Sequence, residues 1–379
     1  MKRLVCWLLV AVMGLGLLPV QVQAEEYKAK SVVLMDVATG TVLYAQNAHE
    51  PLPPASVTKV MTMLLIMEAI DQGRLGWQDP VTASEAAAAK GGSQVYLKVG
   101  ETMTVEEMVK SIAVSSANDC ACAMAEHLAG SESAFVEMMN ARAKELGMQD
   151  THFVNCTGLD DDPAAADHKT SAYDIALMSR QLLKHHPDIK KYTTIWMDTV
   201  RDGAFGLSNT NKLVRFYKGA TGLKTGFTAK AGYCLSASAE REGMELVAVV
   251  MGCETSAERF SACKGLLDMG FAKYGLVQPA PEGNLTVPVK LGAQDLVNVV
   301  PAEEKQLLVE KGQLQQVNVR TELEETVTAP VSRGQRLGTL TVSVGEQVLT
   351  QIPLVADQPV EKLTWWQVFC QTLKQLCFG

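Results

Sequence analysis

The sequence Pro54-Ala-Ser-Val-Thr-Lys59, continued by a run of apolar residues to position 70, decides the fold of this chain. Segment 57–70 is apolar on every side of a helix, and a helix of that kind is buried at the centre of a domain. Ser56 and Lys59 stand three residues apart where this helix begins, so their side chains lie on one face. The stretch therefore predicts a buried helix that presents a hydroxyl group beside an amine.

Two further short motifs follow along the chain. Ser116-Ala-Asn118 lies between two helical stretches, and Lys224-Thr-Gly226 leads into a predicted strand. An S-x-x-K match alone is weak evidence, because about one or two are expected by chance in a chain of this length. Residues 261–264 also fit that pattern, but they fall within a predicted helix after the other two motifs. The order of the motifs therefore favours the first match.

The pattern of apolar residues around these motifs predicts an α/β domain. Its sheet is assembled from both ends of the segment, and the middle is helical. Thr104 and Glu107 form a capping box where one of the helices begins. The predicted strands are 31–36, 41–44, 232–239 and 244–251, and the predicted helices start near Val105, Asp119, Ser133, Ala172 and Ser256.

The composition changes at 278–283, where Pro, Ala and Gly interrupt the periodic pattern and indicate a linker. Short alternating runs after this linker predict a small antiparallel β domain. The chain is thus divided into a signal peptide at 1–24, a catalytic domain at 25–277, the β domain at 284–358 and an amphipathic terminal helix at 361–379.

The first residues are typical of a secretory signal peptide. Lys2 and Arg3 precede an apolar run at 4–20, and Val22-Gln-Ala24 supplies the small or aliphatic residues that a signal peptidase requires. The alternative is a retained membrane anchor. Under either interpretation the rest of the chain is exported, and we expect it at the outer face of the cytoplasmic membrane or in the cell-wall space.

The last segment returns to helical spacing and carries one apolar face. An interfacial membrane helix is the functional interpretation, and docking onto the β domain or onto another subunit is the alternative. The apolar positions are Leu363, Trp366, Phe369, Leu373 and Leu376.

The composition excludes several classes of function. A formal net charge of −8 argues against nucleic acid as a partner. The nine cysteines include no pattern of Cys and His that is typical of a metal site, so we expect no metal and no cofactor. Cys120 and Cys122 face different sides of a helix, and the other internal cysteines stand singly among apolar residues. We therefore expect buried free thiols rather than a disulfide framework.

The three motifs, in this order and in these contexts, resemble the signature of penicillin-binding proteins and class A β-lactamases. The chain is most similar in pattern to low-molecular-mass penicillin-binding proteins of the serine-type D-alanyl-D-alanine carboxypeptidase family, and the resemblance covers nearly all of the mature chain. It implies an α/β catalytic domain, an antiparallel sheet flanked by helices with a helical subdomain, followed by a small all-β domain.

The resemblance also implies a role for each motif residue. Ser56, Lys59 and Ser116 would be catalytic, and the backbone N–H groups of Ser56 and Phe227 would form the oxyanion hole. At the middle of 209–211, where some relatives carry an arginine for the substrate carboxylate, this chain has Thr210. The substrate would be bound by Asn118, Lys224, Thr225, Gly226, Phe227 and Arg259.

The proposed base must overcome the usual protonation of lysine. A hydroxyl is a poor nucleophile unless a base removes its proton. The pKa of Lys59 must therefore fall from about 10.4 towards about 7–8, which costs roughly 4 kcal/mol. Burial beside a second cation can supply this shift, and Lys224 is the natural candidate.

The function implied is removal of the terminal D-Ala from peptidoglycan stem pentapeptides through a Ser56 acyl-enzyme, with β-lactams as covalent inhibitors. A β-lactamase would share the motifs, but it seldom carries a further β domain and an amphipathic tail. No clear Glu-x-x-x-Asn element follows Ser116, although Glu132 and Glu137 are candidates for activating water. A non-enzymatic sensor of β-lactams or muropeptides is the other alternative, and it would normally need a transmembrane segment.

Overall fold

The apolar helix that follows Ser56 occupies the centre of the larger domain. A computed structural model describes residues 27–370, and the predicted signal peptide at 1–24 lies outside them. This helix, α1 (Lys59–Asp71), is buried along its first eleven residues with the exception of Glu68. Because no side of it is polar, it packs against the sheet on one side and against other helices on the rest.

A five-stranded antiparallel sheet forms the scaffold, with the strand order β2-β1-β9-β8-β7. Its first two strands come from the start of the domain and the other three from the end, as the sequence predicts. Two small two-stranded sheets, β3–β4 and β5–β6, stand apart from it. The strands are β1 (Ser31–Asp36), β2 (Val42–Gln46), β3 (Pro80–Thr82), β4 (Thr102–Thr104), β5 (Met197–Val200), β6 (Phe205–Ser208), β7 (Ala220–Thr228), β8 (Gly232–Arg241) and β9 (Met244–Cys253).

The helices cover both faces of this sheet. The capping box predicted at Thr104 and Glu107 is present and starts the third helix. Helix α9 covers the face opposite α1. Besides α1, the helices are α2 (Glu85–Ala88), α3 (Val105–Ser115), α4 (Asn118–Ala129), α5 (Glu132–Glu145), α6 (Ala172–His185), α7 (Lys190–Thr193), α8 (Leu213–Phe216) and α9 (Ser256–Lys273).

Alternation along the strands separates two cores. On β1, Val33 and Met35 face the core around α1, whereas Val32 and Leu34 face the core beneath α9. Successive side chains of a strand point to opposite faces, so a sheet covered on both sides must be apolar at every position. This explains why β1 and β9 read as continuous apolar runs.

The second domain is all-β, as predicted, and has its own apolar core. Its main sheet has the strand order β14-β16-β17-β12-β11-β15, and only the β11–β15 pairing is parallel. The strand β10, which precedes the linker, pairs with β13 across it. The strands are β10 (Tyr274–Val277), β11 (Leu285–Lys290), β12 (Leu296–Pro301), β13 (Leu307–Glu310), β14 (Val317–Leu323), β15 (Val327–Thr328), β16 (Arg336–Val344) and β17 (Gln347–Ala356).

The terminal segment starts as extended chain rather than as helix. Lys362 bridges to Gly292, and the backbone N–H of Leu363 donates to Leu291. Residues 365–370 are helical, and the predicted helical positions 371–379 lie outside the described residues. Thr364 caps this helix through reciprocal hydrogen bonds with Gln367.

The cysteines of the catalytic domain are buried free thiols, in agreement with the sequence analysis. Cys370, by contrast, is exposed on the terminal helix. Within residues 27–370 no group of three or more His, Cys, Asp or Glu side chains is arranged to hold a metal ion. The buried free thiols are Cys120, Cys122, Cys156, Cys234, Cys253 and Cys263.

Candidate active site

Ser56 lies in a tight turn immediately before α1. Residues Ala55–Thr58 form one 3₁₀ turn that leads into the helix. Ala55 has a φ of 49°, a left-handed conformation that a residue with a Cβ adopts only when its surroundings impose it. A Cβ at Gly158 would overlap the Ala55 carbonyl group, so only glycine fits against this turn. Ser56 itself is half-buried and therefore reachable from the cleft.

The Lys59 amine is buried completely and points at the serine. Its Nζ lies 3.0 Å from Ser56 Oγ and donates to the Thr157 carbonyl oxygen at 2.8 Å. Burial lowers the pKa of Lys59 to about 7, although nearby Cys156 and Asp119 act in the opposite direction. This value lies in the range that a lysine base requires at neutral pH.

The loop 155–160, which carries Thr157, contacts the first motif and lies beside segments next to the other two. Its shape is fixed by Asn155, whose Oδ1 accepts from the backbone N–H groups of Thr157 and Gly158 at 3.1 and 2.7 Å. Leu159 lies beside Gly92 on the loop that Asn118 contacts. At the far end, the Asp160 carboxylate accepts from Thr228 Oγ1 where β7 ends. The loop therefore closes one side of the cleft.

Ser116 and Asn118 lie in the connection between α3 and α4. Ser116 ends α3 in a left-handed conformation with a φ of 63°. Asn118 Nδ2 donates to the Gly91 carbonyl oxygen at 2.7 Å. Ser116 Oγ and Asn118 Oδ1 are buried and have no hydrogen-bond partner among the described residues. Buried polar atoms are normally paired, so these two are available to a bound substrate.

The third motif lies on β7, the strand at the edge of the sheet. Lys224 is buried, and its Nζ donates to the Thr225 carbonyl oxygen at 3.0 Å. Burial lowers the pKa of Lys224 well below its ordinary value, and the charges of Lys59 and Arg259 lower it further. Thr225 Oγ1 donates to Thr210 Oγ1 at 2.6 Å. Two threonine hydroxyl groups thus lie at the position where some relatives carry an arginine.

Gly226 brings β7 against the serine turn. A Cβ at this position would lie 2.7 Å from the Pro54 carbonyl oxygen and 3.0 Å from Ser56 N, which are closer than real contacts allow. The glycine is therefore needed for the close approach of two backbones. The Phe227 side chain is exposed and stacks on Tyr233 at 4.2 Å between ring centroids.

Arg259 projects from α9 toward the back of the same strand. Its Nη1 donates to the Gly226 and Cys234 carbonyl oxygens at 2.9 and 3.3 Å. The guanidinium also packs over the rings of Tyr233 and Phe260. In these contacts Arg259 supports β7, and direct binding of a substrate carboxylate by Arg259 stays a prediction.

The second S-x-x-K match does not contribute to this site. Ser261 and Lys264 are both exposed on α9. Glu132, a candidate for activating water in the alternative β-lactamase, instead pairs with Lys90 and accepts from the backbone N–H of Cys156. The first and third motifs meet where Gly226 packs against the Ser56 turn, and Thr210 links the third motif to Val114 at the end of α3 before Ser116. The chance match lies elsewhere.

Sequence reasoning missed the residues that hold the cleft together. Asp119 accepts backbone hydrogen bonds from Val95 and Leu97, which fixes the loop beside Asn118. Thr157 acts through its carbonyl oxygen, which no side-chain pattern reveals. Only the Asn155 to Gly158 stretch carries a local signal, because Asn at the first and Gly at the fourth position are typical of a β-turn.

This geometry defines a class of enzyme. A half-buried serine, a buried lysine of lowered pKa within hydrogen-bond distance of it, and a second buried lysine on an adjacent edge strand are the parts of a serine acyl-transferase that uses a lysine base. The fold around them, an antiparallel sheet with helices on both faces, is that of penicillin-binding proteins.

The comparisons with known proteins give the family. Residues 19–255 match the family model of D-alanyl-D-alanine carboxypeptidase, and residues 274–362 match that of the penicillin-binding protein 5 C-terminal domain. The chain belongs to the D-alanyl-D-alanine carboxypeptidase family. It is a serine-type carboxypeptidase of the penicillin-binding protein class.

Individual relatives agree with this assignment. D-alanyl-D-alanine carboxypeptidase DacF of Bacillus subtilis (strain 168) is 42% identical over an alignment of 377 positions. The alignment covers 96% of this chain and 95% of that protein. Penicillin-binding protein 5 of Haemophilus influenzae is 29% identical with a TM-score of 0.76, over 90% of this chain and all of that one. Penicillin-binding protein D2 of Listeria monocytogenes, solved with ampicillin bound, is 33% identical with a TM-score of 0.59, over 65% of this chain and 98% of its own.

Proposed function

We propose that this enzyme removes the terminal D-Ala from peptidoglycan stem pentapeptides through an acyl-enzyme on Ser56. The observation that carries the proposal is the buried Lys59 amine, with a pKa of about 7, placed 3.0 Å from Ser56 Oγ. A lysine that is neutral near pH 7 can remove the serine proton without a further cofactor.

Acylation follows from this arrangement. Ser56 Oγ attacks the carbonyl carbon of the peptide bond between the two D-Ala residues while its proton passes to Lys59 Nζ. The oxyanion is stabilised by the backbone N–H groups of Ser56 and Phe227. Ser116 donates its proton to the leaving D-Ala amine and regains one from protonated Lys59, so the C–N bond breaks and Lys59 is neutral again. Water then attacks the ester carbonyl carbon and gives a proton to Lys59 Nζ, which passes it to Ser56 Oγ as the ester bond breaks and the peptide leaves.

The substrate is held by the other motif residues. The terminal carboxylate accepts hydrogen bonds from the hydroxyl groups of Thr225 and Thr210, and Lys224 supplies positive potential beside them. Asn118 contacts the substrate amide through its side chain. The peptide lies along β7 at Gly226 as an added strand. Arg259 holds β7 in place from the opposite side.

β-Lactams are proposed as covalent inhibitors of the same serine. The strained amide of the ring is attacked as the peptide bond would be, but its leaving amine stays attached to the acyl group and obstructs the water. The ampicillin-bound Listeria monocytogenes relative supports this proposal for the present chain. The proposal predicts that each protein molecule binds one equivalent of a labelled β-lactam.

Product analysis separates the three candidate functions. Purified enzyme is incubated with a pentapeptide ending in D-Ala-D-Ala, and free D-Ala is measured together with turnover of a chromogenic cephalosporin. A carboxypeptidase releases D-Ala catalytically and is acylated by the cephalosporin about once per molecule. Rapid catalytic cephalosporin hydrolysis without D-Ala release would identify a β-lactamase. Acylation with neither turnover would identify a sensor.

The proposed location is the outer face of the cytoplasmic membrane, reached by export and held by the terminal helix. No helix within residues 27–370 combines the length and the apolar character needed to cross a bilayer. Phe369 stacks on Trp365 and on Trp366 at 5.6 Å between ring centroids, the two tryptophan rings lie 6.3 Å apart, and all three are exposed. Such an aromatic cluster at the end of the chain suits the interface of a membrane.

Vesicle binding tests the anchor. The mature chain is compared with a chain that ends at Thr364, because Leu363 still pairs with the β domain. A second variant replaces Trp365, Trp366 and Phe369 by serine and keeps the full length. We expect only the mature chain to sediment with vesicles, with little effect of moderate salt because few basic residues contribute. Equal sedimentation of all three would leave docking onto protein as the explanation.

A further inference from the structure

A buried histidine that the proposed chemistry does not use lies directly behind the Ser56 turn. The ring of His168 is 3% exposed. Its Nδ1 accepts from the backbone N–H of Val154 at 3.0 Å, and its Nε2 lies 2.8 Å from Thr58 Oγ1. Because a backbone N–H can only donate, Nδ1 carries no hydrogen and Nε2 carries one. His168 therefore donates to Thr58.

The chain of hydrogen bonds continues to the residue before the nucleophile. Thr58 Oγ1 accepts from His168 and donates to the Ala55 carbonyl oxygen at 2.9 Å. Each group in the series thus has one defined role, from Val154 through His168 and Thr58 to Ala55. Fully satisfied buried networks of this kind fix a single arrangement of the segments that they join.

This chain of hydrogen bonds joins two segments, and the Lys59 amine is held between them. One is the Ser56 turn, and the other is the segment 154–160 with Thr157. We propose that His168 is a positioning residue for acylation, which clamps these two segments so that Lys59 Nζ reaches Ser56 Oγ and the Thr157 carbonyl oxygen at the same time. The inference rests on the proposed function, because it concerns the step that forms the acyl-enzyme.

The conformation of the turn explains why a clamp is needed. Ala55 has a φ of 49°, which costs free energy and persists only when neighbouring groups impose it. Gly158 packs directly on the Ala55 carbonyl group, so the turn and the loop can shift only together or by separating. Without His168, the N–H of half-buried Val154 loses its partner, and the two segments separate more easily.

Separation would affect the reaction more than binding. Proton transfer from Ser56 requires the amine at roughly 2.6–3.2 Å. The groups proposed to bind the carboxylate are on β7 and at Thr210, whereas the hydrogen bonds of His168 go to Thr58 and Val154. Loss of the clamp should therefore slow the acylation step while the affinity of the preceding noncovalent complex changes little.

The experiment measures acylation by a fluorescent penicillin in rapid mixing, which gives the noncovalent dissociation constant and the acylation rate constant separately. The variants are His168→Leu, which fills the space without hydrogen bonds, His168→Gln, which keeps a donor toward Thr58, Thr58→Val, and the double variant H168L/T58V. The control is His152→Gln, an exposed histidine on the same segment. Circular dichroism and thermal unfolding establish the folded fraction of each.

We expect His168→Leu and Thr58→Val to slow acylation about ten- to 100-fold with less than about a threefold change in the dissociation constant. The double variant should be no slower than the slower single variant, since both break one chain of hydrogen bonds. His168→Gln should recover most of the rate, and His152→Gln should match the wild type. If His168→Leu fails to fold, Thr58→Val and His168→Gln give the same decision.

Wild-type rate constants in folded His168→Leu or Thr58→Val would overturn the inference, and so would a loss confined to the dissociation constant. Failure of the proposed function has a different signature. In that case the wild-type protein is not acylated at Ser56, which peptide mass spectrometry of the labelled enzyme shows before any variant is compared.

Discussion

The carbonyl oxygen of Thr157 lies 2.8 Å from the Nζ of Lys59, although the two residues are 98 positions apart in the chain. A neutral amine has two N–H donors and one lone pair. With one N–H directed to Thr157, the lone pair can face the Ser56 hydroxyl 3.0 Å away and accept its proton. The distant carbonyl thus favours the orientation of the amine that the proposed base needs.

Labelling should distinguish the two S-x-x-K matches. Ser56→Ala is expected to lose acylation by fluorescent penicillin by at least about 10³-fold, because no other described hydroxyl is paired with a buried lysine. Ser261→Ala should label as the wild type does, since Ser261 is exposed on α9. Gel fluorescence followed by peptide mass spectrometry measures both. The reverse result would show that the site is assigned wrongly.

The acylation rate should rise with pH through about 7. Burial lowers the pKa of Lys59 to about 7, and only the neutral amine can take the serine proton, so the rate increases as this group loses its own proton. The apparent value belongs to the pair with Lys224, whose pKa is also lowered by burial and by Lys59. Stopped-flow acylation between pH 5 and 10 checks this, with Lys59→Ala as the inactive reference. A flat profile would contradict it.

The position of Gly226 should not accommodate even one methyl group. The added Cβ of Gly226→Ala would lie 2.7 Å from Pro54 O and 3.0 Å from Ser56 N, so β7 or the serine turn must move. We expect at least about tenfold slower acylation and a loss of about 1–3 kcal/mol in the free energy of unfolding. Gly206→Ala, on the exposed strand β6 with open space at its Cβ, is the matched control and should behave as the wild type. Similar rates in both variants would disprove the steric argument.

The local elements and the candidate catalytic side chains can be predicted from the sequence. Segment 57–70, the capping box at Thr104 and the apolar runs of β8 and β9 depend on neighbouring residues, so the local pattern predicts them. The packing partners of Ser56 could not be predicted in this way. Gly158 fits because it has no side chain, and Thr157 contributes only its backbone carbonyl. Both contacts join segments about 100 positions apart. The pairing of β10 with β13 was missed for the same reason, because strand pairing across a linker leaves no local pattern.

Stability should decrease in mild acid because of His168, and the sign follows from its pKa. Burial lowers that pKa from 6.5 to about 4, with His152 and Lys59 lowering it further and Asp160 raising it. Between pH 6.5 and 4 the unfolded chain therefore binds a proton that the folded protein does not. The free energy of unfolding falls as the pH falls through this range, by at most about 3 kcal/mol from this one group.

The comparison with His168→Gln isolates this contribution from the carboxylates, because glutamine does not titrate. We expect the difference in unfolding free energy between the wild type and His168→Gln to be constant above about pH 7 and to shift against the wild type from pH 6.5 toward 4. Urea unfolding at intervals of about half a pH unit measures it, and His152→Gln, which alters an exposed histidine, should leave most of the pH dependence in place. A wild-type minus His168→Gln difference that stays constant from pH 7 to 4 would mean that His168 is not held neutral, and the donor and acceptor roles assigned to its two ring nitrogens would then be wrong.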